Sequence, residues 1–260
     1  KRQYSCAYFK NEDDNLETAQ NNKIQHIIKK LNIKPNQKVL DIGCGWGSLA
    51  IDIAKSVSCE VTGITLSDNQ LNYCNKKVKE LNLENQVKFK LMDYRELNEK
   101  FDRIVSVGMF EHVGRKFYNK FFHRVENLLK DDGVSLIHTI GSVNPPRDPH
   151  PWVTKYIFPG GVNPSLSQIT KALEVSNLRV TDIEVLRLHY AKTLHHWLLR
   201  FQQNRQEIAQ ILGEEFCLMW EFYLAVSEVA FVFSDLVVYQ FQLAKKHGPV
   251  PITRDYLHKE

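Results

Sequence analysis

The segment 39–50 constrains the fold more than any other part of this chain. It reads Val-Leu-Asp-Ile-Gly-Cys-Gly-Trp-Gly-Ser-Leu-Ala, so an apolar run ends in glycines at alternate positions and a helical pattern follows at once. Glycine is needed where a backbone turns sharply or lets a ligand approach closely. The N–H groups at a helix start can then face polar ligand oxygens. The segment therefore predicts a strand, a tight turn and a helix around a ligand.

The glycine spacing narrows the class of ligand. Gly43, Gly45 and Gly47 form the pattern G-x-G-x-G, whereas the dinucleotide fingerprint is G-x-G-x-x-G. This difference favours a nucleoside held without a pyrophosphate, and S-adenosylmethionine is the leading candidate. Another nucleotide, or a turn with a purely structural role, is also compatible with the glycine loop alone.

Strand and helix patterns alternate around this loop. Strands are predicted at 38–42, 60–66, 87–92, 101–107, 134–139 and 178–185, and helices at 15–31, 48–57, 68–81 and 118–129. Such alternation predicts a parallel sheet with helices on both faces, so the expected fold class is α/β. A proline-rich segment at 144–164 interrupts the rhythm and is typical of a long functional loop.

Charge and cysteine content exclude several classes of protein. The chain has 34 basic and 30 acidic residues, a net charge of +4, and no basic block of the kind that binds nucleic acid. Its five cysteines include no C-x-x-C pair. We therefore predict neither a disulfide framework nor a metal site. This cysteine usage fits a reducing, cytoplasmic setting.

The segment 216–244 is strongly apolar and rich in aromatic residues. Its polar residues are seven positions apart: Glu221, Glu228, Asp235 and Gln242. On a single helix they would form one narrow polar stripe, with the rest of the surface buried. Two roles fit this predicted helix, a core element or the lining of an acyl-chain pocket. A membrane span is not expected, because the segment lacks a run of about 18 uncharged apolar residues.

Polar residues follow the predicted strands, at the edge of the sheet where open α/β folds bind ligands. Thr65 and Gln70 could bond ribose hydroxyls in place of the acid that many nucleoside-binding proteins have there. Asp93 could accept a hydrogen bond from an adenine amino group, or it could cap a helix together with Glu96. The two roles are compatible. Asp41 is expected to order the glycine loop.

Glu111 and His138 lie at the ends of adjacent strands, so they should face one cleft. A histidine at a strand end commonly makes structural hydrogen bonds only. Two ionisable groups at the ligand edge instead favour a functional site.

Further motifs extend along the chain. They are Tyr-Ser-Cys (4–6), Leu-Asp-Ile-Gly-Cys-Gly-Trp-Gly (40–47), Arg-Ile-Val-Ser-Val-Gly-Met-Phe-Glu-His-Val-Gly (103–114), His-Thr-Ile-Gly (138–141), Lys-Tyr-Ile-Phe-Pro-Gly-Gly (155–161) and His-Tyr-Ala-Lys-Thr-Leu (189–194). Together they resemble the cyclopropane-fatty-acyl-phospholipid synthases and the related mycolic acid cyclopropane synthases. The resemblance covers nearly the whole chain. Its most specific part is Phe-Glu-His-Val-Gly together with His-Thr-Ile-Gly.

The resemblance implies a Rossmann-like class I S-adenosylmethionine-dependent methyltransferase fold, with a helical lid over an acyl pocket. It divides one catalytic domain, 1–260, into three parts. Residues 1–35 would cover the cofactor, 36–143 would form the core, and 144–260 would hold the substrate loop, late strands and apolar helices. The N-terminal lipid-binding domain of longer relatives would be absent, as in a catalytic fragment.

The implied reaction adds the methyl group of S-adenosylmethionine to a cis double bond of a phospholipid acyl chain. Loss of a proton from that methyl group then closes a cyclopropane ring, and the family's proposed base is a bicarbonate ion. By matched position its holders are Cys6, Glu111, His138, the backbone N–H of Ile140, and Tyr190. The cofactor contacts carried over are Tyr4, Ser5, Gly43, Gly45, Thr65, Gln70, Tyr94, Arg95 and Val107, and the strand-end argument adds Asp41 and Asp93.

One departure from the family pattern is Ser227, where many relatives have a cysteine that has been described as catalytic. The implied mechanism forms no covalent enzyme intermediate, so we expect the change to be tolerated. Alternative outcomes are methyl-branched or hydroxylated acyl chains, N-methylation of a small molecule, or a non-catalytic lipid-binding protein. We expect action on unsaturated phospholipids at the inner leaflet of the membrane, from the cytoplasm. A homodimer is a candidate assembly of the full-length protein.

Overall fold

A seven-stranded mixed sheet forms the centre of the computed structural model, which describes residues 2–258. Its strands are β1 (Lys38–Ile42), β2 (Glu60–Thr65), β3 (Val87–Leu91), β4 (Phe101–Val107), β5 (Leu129–Ser142), β6 (Arg179–Leu186) and β7 (Leu236–Ala244). The order is β3-β2-β1-β4-β5-β7-β6. The first five strands are parallel, and β7 runs antiparallel to both of its neighbours. The predicted α/β class is confirmed.

Helices cover both faces of this sheet. They are α1 (Leu16–Leu31), α2 (Ser48–Ser56), α3 (Asp68–Glu80), α4 (Tyr118–Leu128), α5 (Pro151–Tyr156), α6 (Leu166–Glu174), α7 (His189–Gln203), α8 (Arg205–Leu212) and α9 (Glu214–Phe233). Successive residues of a strand point to opposite faces. Leu40 of β1 therefore packs in the core beneath α4 and α6, whereas Val39 packs beneath α1 and α2.

The segment 216–244 is not one helix, so that prediction is wrong. Helix α9 ends at Phe233, and β7 begins at Leu236. Asp235 lies between them, where its carboxylate accepts a hydrogen bond from Ser142 and pairs with Arg147. The predicted polar stripe is therefore interrupted, and Gln242 lies on a buried strand. An apolar strand between two others is buried on both faces, so its composition matches that of a buried helix.

Helix α9 is also not a buried core helix. It packs against α7 and α8, and Cys217, Leu224 and Phe231 are buried on its inner face. Its outer face exposes large apolar side chains, which are Leu218, Phe222, Val226, Val229, Val232 and Phe233. By length and composition alone, α9 is the one helix within residues 2–258 that could cross a membrane.

The proline-rich loop after β5 folds across the carboxyl edge of the sheet. The N–H of Val162 donates to the carbonyl oxygen of Glu111 over 2.9 Å, and the ring of Phe158 lies 6.0 Å from that of His112. Arg115 donates to the carboxylate of Asp148 over 2.7 Å. These contacts hold the loop against the residues that follow β4.

Candidate active site

The glycine loop is shaped for close approach between backbone and neighbouring groups. Gly43 and Gly45 both have positive φ, +77° and +54°, a conformation that side chains with a Cβ rarely adopt. A Cβ on Gly45 would lie 3.0 Å from the hydroxyl of Tyr4, and one on Gly43 would lie 2.9 Å from Met109. Helix α2 begins immediately after the loop, so its first N–H groups face the same space.

One half of a cleft opens beside this loop at the ends of β1–β4. It is lined by nine of the predicted cofactor residues, Tyr4, Gly43, Gly45, Thr65, Gln70, Asp93, Tyr94, Arg95 and Val107. The hydroxyl of Thr65 donates to the amide oxygen of Gln70 over 2.7 Å, and the Gln70 amide donates to the Tyr4 hydroxyl over 3.4 Å. The N-terminal segment therefore reaches across to β2, as a segment that covers a nucleoside would.

Asp93 lies in a turn and not at the start of a helix, so the helix-cap prediction with Glu96 is wrong. One of its carboxylate oxygens accepts from both the backbone N–H and Nε of Arg95, over 2.8 and 2.9 Å. The Arg95 guanidinium lowers the pKa of Asp93, so the carboxylate stays ionised. The side chains of Asp93 and Arg95 line the cleft together.

The other half of the cleft extends from the glycine loop towards α7 and α9. It contains Ser5, Asp41 and all the predicted anion-site residues, Cys6, Glu111, His138, Ile140 and Tyr190. Tyr223, Ser227 and Phe231 of α9 also line it. Both halves share Tyr4, Gly43, Gly45 and Val107. The two halves therefore adjoin at the glycine loop.

Glu111 lies in a short 3-10 turn after β4 and is buried. Its Oε1 accepts a hydrogen bond of 2.6 Å from the backbone N–H of Ile140, whereas Oε2 has no partner among the described residues. Burial raises the pKa of Glu111 to about 7. A protonated Oε2 can therefore donate into the cleft. The Ile140 N–H, predicted to contact an anion directly, is bonded to Glu111 here.

His138 is buried near the end of β5, where it pairs in register with Gln240 of β7. The Gln240 amide nitrogen lies 3.1 Å from Nδ1 of His138. Burial, together with the positive charge of Lys23, lowers the pKa of His138 to about 3. The imidazole is therefore neutral. If the amide donates to Nδ1, the ring proton resides on Nε2, which is then a donor.

Tyr190 and Cys6 complete a group of neutral donors. The Tyr190 ring lies 4.9 Å from Phe231 and meets Trp197 edge-on at 5.9 Å. Burial raises the pKa of the Tyr190 hydroxyl well above its ordinary value, and it raises the pKa of the Cys6 thiol. Both groups keep their protons at neutral pH, and the Cys6 thiol contacts the carbonyl oxygen of Ala7. Such a set suits a small anion.

The sequence motifs do not include Lys23 or Gln240, although both belong to this site. Lys23 lies on the face of α1 that also carries Ile24 and Ile27, and it is buried. A lysine on the apolar face of a helix is a signal available from sequence, because such residues are rarely buried without a partner. Gln240 carries no comparable signal, since its partner is 102 residues away.

The sheet order with its antiparallel β7, and the glycine loop beside a nucleoside-sized cleft, define a class I S-adenosylmethionine-dependent methyltransferase fold. The chain belongs to the mycolic acid cyclopropane synthetase family, whose sequence profile matches residues 1–241. The resemblance inferred from the motifs is thereby confirmed.

Individual relatives agree with this assignment. The cyclopropane-fatty-acyl-phospholipid synthase of Escherichia coli (strain K12) is 43% identical over 238 residues, which are 92% of this chain and 61% of that protein. The cyclopropane synthase MmaA2 from Mycobacterium tuberculosis superposes with a TM-score of 0.89 at 34% identity, covering 94% of this chain and 90% of that one. The mycolic acid cyclopropane synthase CmaA1, complexed with SAH and CTAB, gives 0.87 at 33%, covering 93% and 89%. The chain thus spans 61% of the length of the E. coli relative.

Proposed function

We propose that this chain transfers the methyl group of S-adenosylmethionine to a cis double bond of an unsaturated phospholipid acyl chain and closes a cyclopropane ring. One observation carries the proposal. Glu111, His138 and Tyr190 line a cavity that continues into the cleft formed by the glycine loop. A methyl donor bound at the loop and an acyl chain in the cavity would therefore meet at these three side chains.

The cleft residues fit the methyl donor. Gly45 leaves a space beneath Tyr4 that a Cβ would fill, and the buried Oδ2 of Asp41 has no partner among the described residues. Thr65 and Gln70 offer hydroxyl and amide groups that could bond the ribose. Asp93 and Arg95 offer polar groups that could bond the adenine. When bound, S-adenosylmethionine supplies a methyl group on a sulfonium centre. The protein supplies alignment, which matters because an alkene is a weak nucleophile.

We further propose a bicarbonate ion as the base that removes the proton. The neutral imidazole of His138, the hydroxyl of Tyr190 and the protonated Oε2 of Glu111 would hold it by donating hydrogen bonds. These groups carry no net charge of their own. They can orient an anion while lowering its basicity less than a fixed positive charge in direct contact would. The Cys6 thiol keeps its proton and donates it to the carbonyl oxygen of Ala7, so it would line the anion site and would not act as a nucleophile.

The apolar side of the cavity supports a reaction that passes through a positively charged acyl carbon. Phe231 and the ring of Tyr190 line it together, 4.9 Å apart, and aromatic faces attract cations. Trp197 packs edge-on against Tyr190. The same surfaces exclude water, which would otherwise add to the cation and give a hydroxylated chain. Ser227 lines this cavity without a role in the proposed steps.

Helix α9 supports a substrate drawn from a membrane. Its inner side chains Tyr223 and Phe231 line the cavity, while Phe222 and Val229 are exposed on its outer face. A relative in the family, CmaA1, was crystallised with SAH and CTAB, a detergent. We propose that the protein acts at the inner leaflet from the cytoplasmic side, with the outer face of α9 against the lipid.

The test is incubation with S-adenosylmethionine and vesicles of a cis-monounsaturated phospholipid. We expect each modified acyl chain to gain the mass of one CH₂, and proton NMR to show cyclopropane protons with loss of vinyl protons. The variant Glu111→Gln serves as the matched control, because it keeps the shape of the site. A mass gain without ring protons would instead indicate a methyl branch. No mass gain on any lipid would contradict the proposal.

A further inference from the structure

Lys23 is a buried lysine of the cleft. It lies on the inner face of α1, is 3% exposed and lines the half of the cleft that contains the anion-site residues. Its Nζ donates a hydrogen bond of 2.9 Å to the hydroxyl of Ser5. The ion pairs formed within residues 2–258 include the other buried lysine of this helix, Lys30, but not Lys23. Burial lowers the pKa of Lys23 to about 7, so the amine needs an anion beside it to stay protonated at neutral pH.

A buried acidic side chain, Asp41, lines the same half of the cleft. Asp41, at the end of β1, is 1% exposed, and its Oδ2 has no partner among the described residues. Burial raises the pKa of Asp41 to about 7, and the charges of Lys23 and Asp41 partly oppose the shift that burial causes in each other. No ion pair joins the two side chains within residues 2–258. The cleft therefore presents a buried amine and a buried carboxyl group next to the glycine loop, each with unused hydrogen-bonding capacity and each favoured in its charged form by a ligand of opposite charge.

We infer that Lys23 binds the carboxylate of the methionine half of S-adenosylmethionine, together with Ser5, and that Asp41 receives its ammonium group. The inference rests on the proposed function. The zwitterion carries one negative and one positive charge on adjacent carbons, which matches the two unpaired groups. Because Ser5 accepts from Lys23, the Ser5 hydroxyl proton is free to donate to the same carboxylate.

The proposed bicarbonate is the competing partner for Lys23, and two observations favour the cofactor carboxylate. Lys23 is bonded to Ser5, which adjoins the Tyr4 that covers the glycine loop. The anion site has its own neutral donors in His138 and Tyr190. A cation in direct contact with the base would stabilise its charged form and make it a weaker base.

The experiment measures binding of three ligands by calorimetry to the whole chain and to Lys23→Met. The ligands are S-adenosylhomocysteine, decarboxylated S-adenosylmethionine, which lacks only the carboxylate, and 5′-methylthioadenosine, which lacks the entire amino-acid end. We expect Lys23→Met to weaken the binding of S-adenosylhomocysteine by about 10- to 100-fold, which corresponds to the loss of one charge-assisted hydrogen bond. The affinities for the other two ligands should change by less than about twofold.

Two further variants make the result specific. Lys29→Met removes a lysine from the same helix that does not line the cleft, and it should leave all three affinities unchanged. Lys23→Arg keeps the positive charge, so its loss for S-adenosylhomocysteine should be smaller than that of Lys23→Met. If Lys23→Met does not fold, Lys23→Arg still allows the three affinities to be compared.

If Lys23→Met weakened the binding of all three ligands equally, the inference would be overturned, because Lys23 would then have a structural role. Unchanged S-adenosylhomocysteine affinity together with an altered dependence of turnover on bicarbonate would overturn it in favour of the competing anion. Neither result bears on whether lipid is cyclopropanated, which the product analysis tests separately. Conversely, ligand-specific binding through Lys23 would stand even if the product were a methyl branch.

Discussion

The carboxyl group of Glu111 and the backbone N–H of Ile140 are joined by a hydrogen bond of 2.6 Å that links the turn after β4 to β5. The bond uses Oε1 and leaves Oε2 without a partner. Because β4 and β5 are neighbours, a side chain in the turn after β4 and a backbone group of β5 define a fixed position at the edge of the sheet. The free oxygen is thus aimed by the fold and not by a flexible loop.

Replacement of Glu111 by glutamine should reduce turnover by about 100-fold or more, the usual contribution of a positioned acid or base. The amide can still accept from Ile140, but it has no acidic proton at the position of Oε2. Binding of S-adenosylhomocysteine should remain within about twofold, since Glu111 does not line the nucleoside half of the cleft. Steady-state kinetics and calorimetry check both parts. A parallel loss of binding would show that the residue is structural.

The same variant should alter how stability depends on pH. Burial raises the pKa of Glu111 from its ordinary 4.5 to about 7. As the pH rises through this window, the unfolded chain releases the proton first, so the folded protein binds more protons and its free energy of unfolding falls. The contribution is roughly 2–4 kcal/mol. Glu111→Gln cannot ionise and should lose this decline, whereas Asp41, which shifts in the same direction, is present in both proteins.

Urea unfolding of the two proteins at about pH 5 and pH 8 measures this difference directly. The wild-type protein should lose more stability between the two conditions than the variant does. Equal losses would mean that Glu111 is already ionised in the folded protein near neutral pH.

Gln240 should control which nitrogen of His138 carries the proton. Its amide lies 3.1 Å from Nδ1 within a fully buried pair, so donation there favours the tautomer with the proton on Nε2. Gln240→Met should release this preference and reduce turnover by about tenfold. NMR of the imidazole nitrogens should show one neutral tautomer in the wild-type protein and a mixture in the variant. Gln242→Met is the matched control, because Gln242 is buried on the same strand but bonds to Lys30 and Tyr256.

The sequence predicted those parts of the site that depend on local order. Gly43 and Gly45 follow an apolar strand, and Thr65 and Asp93 follow the next two, so their position at one edge of the sheet could be deduced. Lys23 and Gln240 could not be assigned, because their partners come from distant elements that only tertiary packing brings together. The apolar pattern of 236–244 predicts a helix where β7 lies, because burial on both faces removes the alternation that identifies a strand.

Gly45→Ala should weaken binding of S-adenosylhomocysteine by about tenfold or more. The position has φ of +54°, and the new Cβ would lie 3.0 Å from the Tyr4 hydroxyl. Alanine in this left-handed region costs about 1 kcal/mol, and displacement of Tyr4 disturbs its contact with Gln70. Gly248→Ala is the control, since a Cβ there meets nothing within 4 Å. Calorimetry that gives the same affinity for both variants would show that the loop does not contact the nucleoside.

The outer face of α9 should carry much of the affinity for membranes. Leu218, Val229 and Phe233 are exposed on this helix, which also lines the cavity through Tyr223 and Phe231. Changing the three exposed residues to serine removes apolar surface that a bilayer would otherwise bury, at about 1.5–3 kcal/mol for each side chain fully buried. Partial burial would still leave a loss of about tenfold or more in the vesicle-bound fraction at limiting lipid.

Sedimentation with phospholipid vesicles measures the bound fraction, and S-adenosylhomocysteine affinity reports that the fold is intact. Ile252→Ser is the control, because Ile252 is a fully exposed apolar residue away from α9. It should leave vesicle binding unchanged, since a single apolar side chain outside the docking face contributes nothing to contact with the bilayer. The serine variant should also turn over vesicle lipid more slowly while keeping its activity on detergent-dispersed lipid, because only the first substrate requires docking. Equal losses on both substrates would place the effect in the cavity and not at the membrane.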